Sequence, residues 1–269
     1  MIDFVHLICD YAPGDMAWAE IRSAFSSELG VNVRLHATAV KSFDTIGTGF
    51  VLAQLSLAPE ELRAKNLLVF ANTAPRKDRT SPRQNNEGEG LLFARLKNGV
   101  LIVAVNSGYS LSFVRDEIDE LWSTNVVEEG SQFRSRDYFP TIVSKVTADD
   151  LSCLVHKLSI QENIPAAPTN AIAYIDSFGN MKTSIKTGDK LVASLKEGAR
   201  VRIKIGSIIR GATVATGSFN VMEGDLAFAP GSSGHHKGRY WELFVRSGSA
   251  WEEFGRPAST TEITIEKSE

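Results

Sequence analysis

Three short segments of the sequence place polar and aromatic side chains where a small molecule could bind. Asp10 directly follows the first predicted strand, and α/β sheets bind ligands beyond the carboxyl ends of their strands. Phe178 and Asn180 set an aromatic face beside an amide, a pair that can stack on a planar ring and hydrogen-bond to its edge. Phe133 and Ser135 lie in the third segment, ahead of a predicted helix. Singly, each residue also has a structural interpretation as a cap, a turn or a core side chain.

The motifs of several large enzyme classes are missing from the sequence. It contains no P-loop, no G-x-G-x-x-G, no H-E-x-x-H and no nucleophile elbow, so an NTPase, a Rossmann dehydrogenase, a zinc protease and an α/β-hydrolase lose their main support. The adjacent His235 and His236 would point to opposite faces of a strand and have no third ligand nearby in sequence. We therefore expect no metal site. Cys9 and Cys153 lie far apart in apolar surroundings, which favours buried thiols in a reducing compartment.

Composition and charge exclude two classes of partner. The chain has 269 residues, and its 29 Lys and Arg against 32 Asp and Glu give a net charge of −3. No polycationic surface is therefore available for a nucleic acid. No stretch reaches the roughly 20 apolar residues of a membrane-spanning helix, and the first residues lack the basic region of a signal peptide. The sequence predicts a cytoplasmic protein with no nucleic-acid or membrane partner.

The first half of the chain alternates strand and helix patterns. Asp15 is a predicted N-cap and Gly30 a predicted stop for the first helix. Asn98-Gly99 between two apolar runs predicts a β-hairpin. The remaining predicted elements are strands over 2–9, 31–35 and 68–71, a helix over Thr45–Leu57, and helices over 112–122 and 140–158, the last opened by Asp137.

A domain boundary is visible near the middle of the chain. The uncharged stretch 163–170 contains Pro165 and Pro168, which cannot continue a helix and favour a linker. After it the helical pattern disappears, and short alternating runs are separated by Gly and Ser clusters. We expect an α/β domain over 1–162, with a central mixed sheet flanked by helices, and a small all-β, barrel-like domain over 171–269.

The three candidate segments also have a counterpart among known enzymes. Cys9-Asp10-Tyr11-Ala12-Pro13-Gly14-Asp15, the run 131–140 and Ile175-Asp176-Ser177-Phe178-Gly179-Asn180 resemble, in this order, segments of the S-adenosylmethionine hydroxide adenosyltransferase family. That family also contains fluorinases and chlorinases. The resemblance implies that water or a halide attacks carbon 5′ of S-adenosylmethionine and displaces methionine. It further implies no cofactor beyond this substrate, and a homotrimer with its sites at subunit interfaces.

Seven ligand-binding positions follow from the resemblance. They are Asp10 on the ribose hydroxyls, Phe43 in the ribose pocket, Phe133 and Ser135 around carbon 5′, Asp176 on the methionine ammonium, Phe178 stacked on adenine and Asn180 on its polar edge. The later run 242–250 resembles a strand whose backbone contacts adenine.

The nucleophile side departs from the family pattern. Asn72, Arg79 and Arg134 stand at the positions of the Asp-Arg-His set that orients water in the hydrolases. Neither an amide nor a guanidinium removes a proton from water at neutral pH. The two arginines could instead hold hydroxide or another small anion, and Ser135 matches a halide-contacting serine of the fluorinases. Three functions stay open: a hydrolase yielding adenosine and methionine, which we favour; a ligand-binding sensor; and a transferase to another anion, including a halide.

Overall fold

The computed structural model describes residues 2–58, 66–73, 88–127, 130–217, 220–235 and 238–267. The chain divides into two compact units, Met1–Ala166 and Ala167–Glu269. The division falls inside the stretch 163–170 that was expected to be a linker.

The first unit is built on a seven-stranded mixed sheet with the strand order β2-β1-β3-β5-β4-β6-β7. Strands β1, β2, β3 and β5 run parallel to one another, whereas β4, β6 and β7 pair antiparallel. The strands are β1 (Phe4–Cys9), β2 (Arg34–Ala39), β3 (Leu67–Asn72), β4 (Leu91–Leu96), β5 (Leu101–Val105), β6 (Ile118–Thr124) and β7 (Leu154–Lys157). Every residue of β3 and β5 is buried, as expected of parallel strands covered on both faces.

The helices of the first unit begin and end at local signals. They are α1 (Met16–Leu29), α2 (Thr45–Leu57), α3 (Arg134–Asp137), α4 (Phe139–Thr147) and α5 (Ile160–Asn163), with 3-10 turns at Ser112–Glu117 and Leu151–Cys153. The Asp15 carboxylate accepts from the Ala17 main-chain N at 3.0 Å, and Gly30, at φ 79°, follows α1. The predicted cap, stop and hairpin are confirmed, as is the helix Thr45–Leu57.

Helices α1 and α4 pack against the central strands through large apolar side chains. The Phe25 and Phe70 ring centroids lie 4.9 Å apart, and those of Phe70 and Phe139 lie 6.0 Å apart. Phe25 and Phe70 are fully buried, so α1 is held to β3 by the burial of apolar surface.

Two predicted helices of the first unit are wrong in whole or in part. The run 112–122 forms a 3-10 turn followed by β6, because Ile118–Thr124 pairs along β4. The helix expected over 140–158 ends at Thr147: Asp149 has a φ of 61°, and Leu154–Lys157 pairs with β6. Asp137 does not cap this helix but closes the preceding turn α3.

The second strand begins later than predicted: β2 starts at Arg34, whereas the apolar run predicts a strand over 31–35. Val31 is 98% exposed and the Val33 main-chain N bonds back to Gly30. A turn therefore occupies the start of the apolar run.

The second unit is a curled, half-barrel sheet with the strand order β14-β10-β11-β12-β13-β9-β8. An antiparallel bridge between Ala171 and Glu262 joins the two ends of this sheet. Its elements are β8 (Ile172–Ile175), β9 (Met181–Lys186), β10 (Arg200–Ile205), β11 (Ile208–Val214), β12 (Leu226–His235), β13 (Gly238–Val245), the short helix α6 (Ala250–Glu253) and β14 (Ile263–Lys267). Buried and exposed residues alternate along β10, the pattern of a strand with one face in the core. The predicted fold class is confirmed in both units.

Candidate active site

The polar residues of the first unit meet at a switch point of the sheet. Strand β1 lies between β2 and β3 and is parallel to both. The chain therefore adds β2 on one side of β1 and then crosses over to add β3 on the other side. Ligands bind at the carboxyl ends of strands at such a point. Asn72 ends β3 directly opposite Cys9, and Asp10 and Tyr11 follow Cys9. The sheet topology thus places three polar side chains at its expected binding edge.

A hydrogen-bonded triad links two of the predicted site residues through a third that was not predicted. Asn72 Nδ2 donates to the Tyr11 hydroxyl oxygen at 3.1 Å, and the Tyr11 and Ser135 hydroxyls are 3.0 Å apart. Asn72 and Ser135 are both buried, at 9% and 3% exposure. Tyr11 directly follows Asp10 in the sequence, and its phenol was the signal by which it could have been predicted.

The Tyr11 ring is fixed by aromatic neighbours. Trp18 Nε1 donates to the Tyr11 main-chain oxygen at 3.1 Å, and the Tyr11 ring meets Phe133 edge-on at a centroid distance of 6.0 Å. Burial raises the pKa of Tyr11 above its usual value. Tyr11 therefore stays a neutral phenol at neutral pH and is not a base.

A charged network holds the segment that contains Phe133 and Ser135. Arg136 bonds to Asp137 at 2.6 Å and to Glu20 of α1 at 2.9 Å, and its guanidinium lies 4.9 Å from the Phe133 ring centroid. Asp137 also accepts from the Ser131 hydroxyl. The hydrogen bond from Arg136 lowers the pKa of Asp137, so this network persists at neutral pH and anchors the turn to α1.

Asp10 and Phe43 form a separate contact at the same edge. The Asp10 Oδ2 atom accepts from the Phe43 main-chain N at 2.9 Å. Phe43 has a φ of 64°, unusual for a residue with a side chain, and its ring is 44% exposed. Backbone strain at a non-glycine residue is typical of positions that serve a site. The two residues predicted to surround a ribose are thus in direct contact.

Arg134 makes contacts of a different kind. Its Nη1 donates to the Glu89 main-chain oxygen at 2.8 Å and its Nε to that of Val127 at 3.2 Å. A Cβ at Gly88 would overlap the Arg134 guanidinium in its present position. These bonds tie Arg134 to two chain segments beside the sheet, while its neighbour Ser135 joins the triad. Arg79, the third predicted catalytic residue, lies outside the described residues.

Buried hydroxyls support the chain beyond β3 and β5. Thr48 and Thr73 hydroxyls are 2.7 Å apart, and the Ser107 hydroxyl donates to the Thr73 main-chain oxygen. Ser107 and Ser110 hydroxyls lie 3.2 Å apart. All four residues are buried. The network fixes the main chain directly after Asn72 to α2 and to the loop after β5.

In the second unit, Asp176 organises the turn between β8 and β9. Its Oδ1 accepts from the main-chain N of Phe178 and of Asn180, each at 3.0 Å, and its Oδ2 accepts from Asn180 Nδ2 at 3.0 Å. The Phe178 ring is 77% exposed. The main-chain oxygen of Gly179, a residue at φ 79°, accepts from the Trp251 N–H, and a Cβ at this glycine would overlap Ser249. The structure brings these three predicted residues together and presents an aromatic ring to solvent.

This second unit is also the part of the chain with a family match. Residues 170–260 match the model of the SAM hydroxide adenosyltransferase C-terminal domain. The matched stretch includes the Asp176–Asn180 turn and the run 242–250. A comparison with curated proteins found no match.

Two solved structures show the fold of the whole chain. An uncharacterized conserved protein from Thermotoga maritima aligns with 98% of this chain and 100% of its own, at a TM-score of 0.74 and 19% identity. A conserved hypothetical protein from Thermus thermophilus aligns over the same shares at a TM-score of 0.66 and 16% identity. At these identities the likeness concerns the fold and not the chemistry.

The described residues offer neither a metal site nor a membrane-spanning helix. In the described ranges, no three His, Cys, Asp or Glu side chains are grouped closely enough to hold a metal ion. Within those same ranges, no helix has the length and apolar character needed to span a membrane.

Proposed function

We propose that the protein is an S-adenosylmethionine hydrolase of the hydroxide adenosyltransferase type, producing adenosine and methionine in the cytoplasm. The observation that supports this most directly is the family match of the C-terminal domain, in which the Asp176 turn exposes Phe178 beside a fixed Asn180 amide. Such a turn can receive an adenine ring by stacking and edge hydrogen bonds. The sensor and anion-transferase functions share this binding step.

The proposed reaction makes modest demands on the protein. The nucleophile forms a bond to carbon 5′ while the carbon–sulfur bond breaks, and the electron pair leaves with methionine as a neutral thioether. No acid has to protonate the leaving group, and the proposal invokes no cofactor besides the substrate. Catalysis then consists of orienting and desolvating the nucleophile opposite sulfur.

The residues of the first unit suit two functions, binding of the ribose and orientation of the nucleophile. Asp10 and Phe43 are in contact at the carboxyl end of β1, where a carboxylate can accept hydrogen bonds from ribose hydroxyls. Phe133 and Ser135 are proposed to lie around carbon 5′. Asn72, joined to Ser135 through Tyr11, and Arg134 are proposed to act on the nucleophile side with Arg79.

A specific observation favours the anion transferase as the second candidate. The amide at position 72 donates a hydrogen bond into the triad, whereas a base would accept one. Hydroxide, a halide or another small anion requires no proton removal, and positively charged or donor groups stabilise each of them. The resemblance further supports a homotrimer with sites at subunit interfaces, which sedimentation of the purified protein would test.

Incubation with S-adenosylmethionine in halide-free buffer tests the function directly. Chromatography would follow adenosine and methionine against a no-enzyme control, and calorimetry would follow binding in parallel. Release of both products establishes hydrolysis. Saturable binding without products would replace hydrolysis by the sensor function. A 5′-substituted adenosine formed only with an added anion would replace it by anion transfer, and absence of binding would refute the adenosyl pocket.

A further inference from the structure

The triad of Asn72, Tyr11 and Ser135 contains one hydroxyl hydrogen more than it uses. Asn72 Nδ2 donates to the Tyr11 oxygen, and a single hydrogen bond joins the Tyr11 and Ser135 hydroxyls. Each hydroxyl has one hydrogen to donate. One of these two hydrogens therefore lacks an acceptor among the residues that the structure describes. Because Ser135 is 3% exposed, bulk water does not provide that acceptor readily.

Chemistry decides which hydroxyl keeps the spare hydrogen. A phenol is a stronger acid than an alkyl alcohol and so the better donor, while the alcohol oxygen is the better acceptor. Tyr11 already accepts from Asn72, which polarises its own O–H bond further. The favoured order is therefore Asn72 N–H to Tyr11, Tyr11 O–H to Ser135, and Ser135 O–H to a ligand.

We propose, resting on the function proposed above, that these three residues form a one-way hydrogen-bond relay in which the amide at position 72 makes Ser135 a donor to the nucleophile. Tyr11 and Asn72 act as positioning residues, and the identity of residue 72 sets the direction of the relay. An anionic nucleophile accepts a hydrogen bond from the Ser135 hydroxyl and forms a bond to carbon 5′. Methionine leaves with the electron pair of the broken carbon–sulfur bond. No proton has to move.

Asn72→Asp should reverse the relay. The new carboxylate at position 72 accepts the Tyr11 hydrogen, Tyr11 accepts from Ser135, and Ser135 accepts from water. When that water oxygen bonds to carbon 5′, its proton passes to Ser135 while one proton shifts from Ser135 to Tyr11 and one from Tyr11 to the carboxylate. The substitution replaces the NH2 group of the Asn72 side chain by an oxygen of similar size. The altered direction of the relay is therefore its main effect.

The surrounding groups leave this comparison readable near neutral pH. Among the residues that the structure describes, the titratable and charged side chains around the relay are Cys9, Asp10, Glu20, Arg134, Arg136 and Asp137. Burial raises the pKa of the Cys9 thiol, and the hydrogen bond from Arg136 lowers the pKa of Asp137. Arginine keeps its charge throughout. Neither Cys9 nor Asp137 changes its charge between pH 6 and 9.

The deciding experiment is the pH dependence of kcat in halide-free buffer for the full-length protein and four variants. In the unsubstituted protein, kcat should rise about tenfold per pH unit, in proportion to hydroxide. N72D should reach a plateau, and the double variant N72D/Y11F should lose that plateau. Y11F alone should lower kcat with KM little changed, since it leaves Ser135 free to rotate. Tyr138→Phe, which removes a phenol from the same segment outside the relay, is the matched control.

Failure of the relay and failure of the proposed function give different results. A plateau in the unsubstituted protein, an N72D profile like the original, or a plateau that survives in N72D/Y11F would overturn the relay. If no form of the protein releases adenosine, the hydrolase function fails, and the relay is judged by NMR titration of ¹³C-labelled tyrosine, with Y11F assigning the signal. N72D should then raise the pKa of Tyr11 by about 1–3 units. If the pKa of Tyr11 is unchanged in N72D, the relay is overturned. This measurement also decides the question if N72D is too inactive for kinetics.

Discussion

The Asp176 carboxylate binds Asn180 through both of its oxygens. Oδ1 accepts from the Asn180 main-chain N and Oδ2 from its Nδ2, each at 3.0 Å. The carboxylate therefore fixes the direction of the Asn180 amide before any ligand arrives. A turn organised in this way loses little conformational entropy on binding, and the exposed Phe178 ring beside it is the surface it offers.

Phe178→Ala should weaken binding without destabilising the protein. The ring is 77% exposed, so its removal should change stability by no more than about 0.5 kcal/mol. Loss of a base-stacking partner should reduce S-adenosylmethionine affinity by about 1–3 kcal/mol. Calorimetry and thermal unfolding measure the two effects separately. Met222→Ala, at an apolar side chain 74% exposed in the same unit, should alter neither, and equal effects of the two substitutions would contradict a stacking role.

Gly179→Ala should destabilise the second unit more than the same change at Gly224. Both glycines have positive φ, 79° and 83°, but only at Gly179 would a Cβ overlap another group, Ser249. Each substitution costs about 1–2 kcal/mol for the backbone conformation, and the clash at Gly179 adds about 1–3 kcal/mol. Thermal unfolding of the two variants checks this order. Equal unfolding midpoints would mean that the contact between position 179 and Ser249 is relieved without a loss of stability.

Acidification should destabilise the first unit through His6. Burial, together with the charge of His36, lowers the pKa of His6 from 6.5 to about 4. Between these pH values the unfolded chain binds more protons than the folded one, so stability is complete above about pH 6.5 and falls as the pH drops toward 4. The unfolding midpoint should therefore be lower at pH 5 than at pH 7.5.

The variant His6→Phe should reduce this acid sensitivity, because it removes the group that is buried in its neutral form. His36→Gln should raise the pKa of His6 toward its usual value, as followed by imidazole NMR. His156→Gln, at a strand residue of the same unit, serves as the control. An acid response as large in His6→Phe as in the original protein would assign the effect to other groups.

Lys182 and Glu242 form a poorly exposed ion pair whose members should be coupled. Their Nζ and Oε2 atoms are 2.7 Å apart, and the side chains are 13% and 17% exposed. Removing one partner leaves an unpaired charge that is largely shielded from water. Lys182→Met and Glu242→Leu should therefore each lower the free energy of unfolding by about 2–3 kcal/mol. The double variant should cost less than the sum. Chemical unfolding in a double-mutant cycle measures the difference, and strict additivity would show that the two charges are solvated independently.

Local signals in the sequence determined much of the scaffold. Asp15 and Gly30 delimit α1, and Asn98-Gly99 closes the hairpin of β4 and β5. Each of these signals acts through residues that are near in sequence, because a cap or a tight turn is satisfied within a few residues. The Asp176–Asn180 turn is equally local, because the Asp176 carboxylate closes it within four residues.

Tertiary pairing overrode the local pattern elsewhere. The run 118–124 has apolar spacing compatible with a helix. The outer edge of β4 would leave main-chain N–H and C=O groups without partners, and a strand over this run satisfies them. The same holds for Leu154–Lys157, which pairs with β6 at the edge of the sheet.

The nucleophile side of the site was decided by the tertiary structure alone. Tyr11 joins Asn72, 61 residues away, to Ser135, 124 residues away. No periodicity or spacing relates such positions, because the contacts exist only after β3 has paired beside β1 and the turn α3 has packed on α1. The sequence identified Asn72 and Ser135 as candidates, but the direction of the hydrogen bonds between them required the geometry of the folded sheet edge.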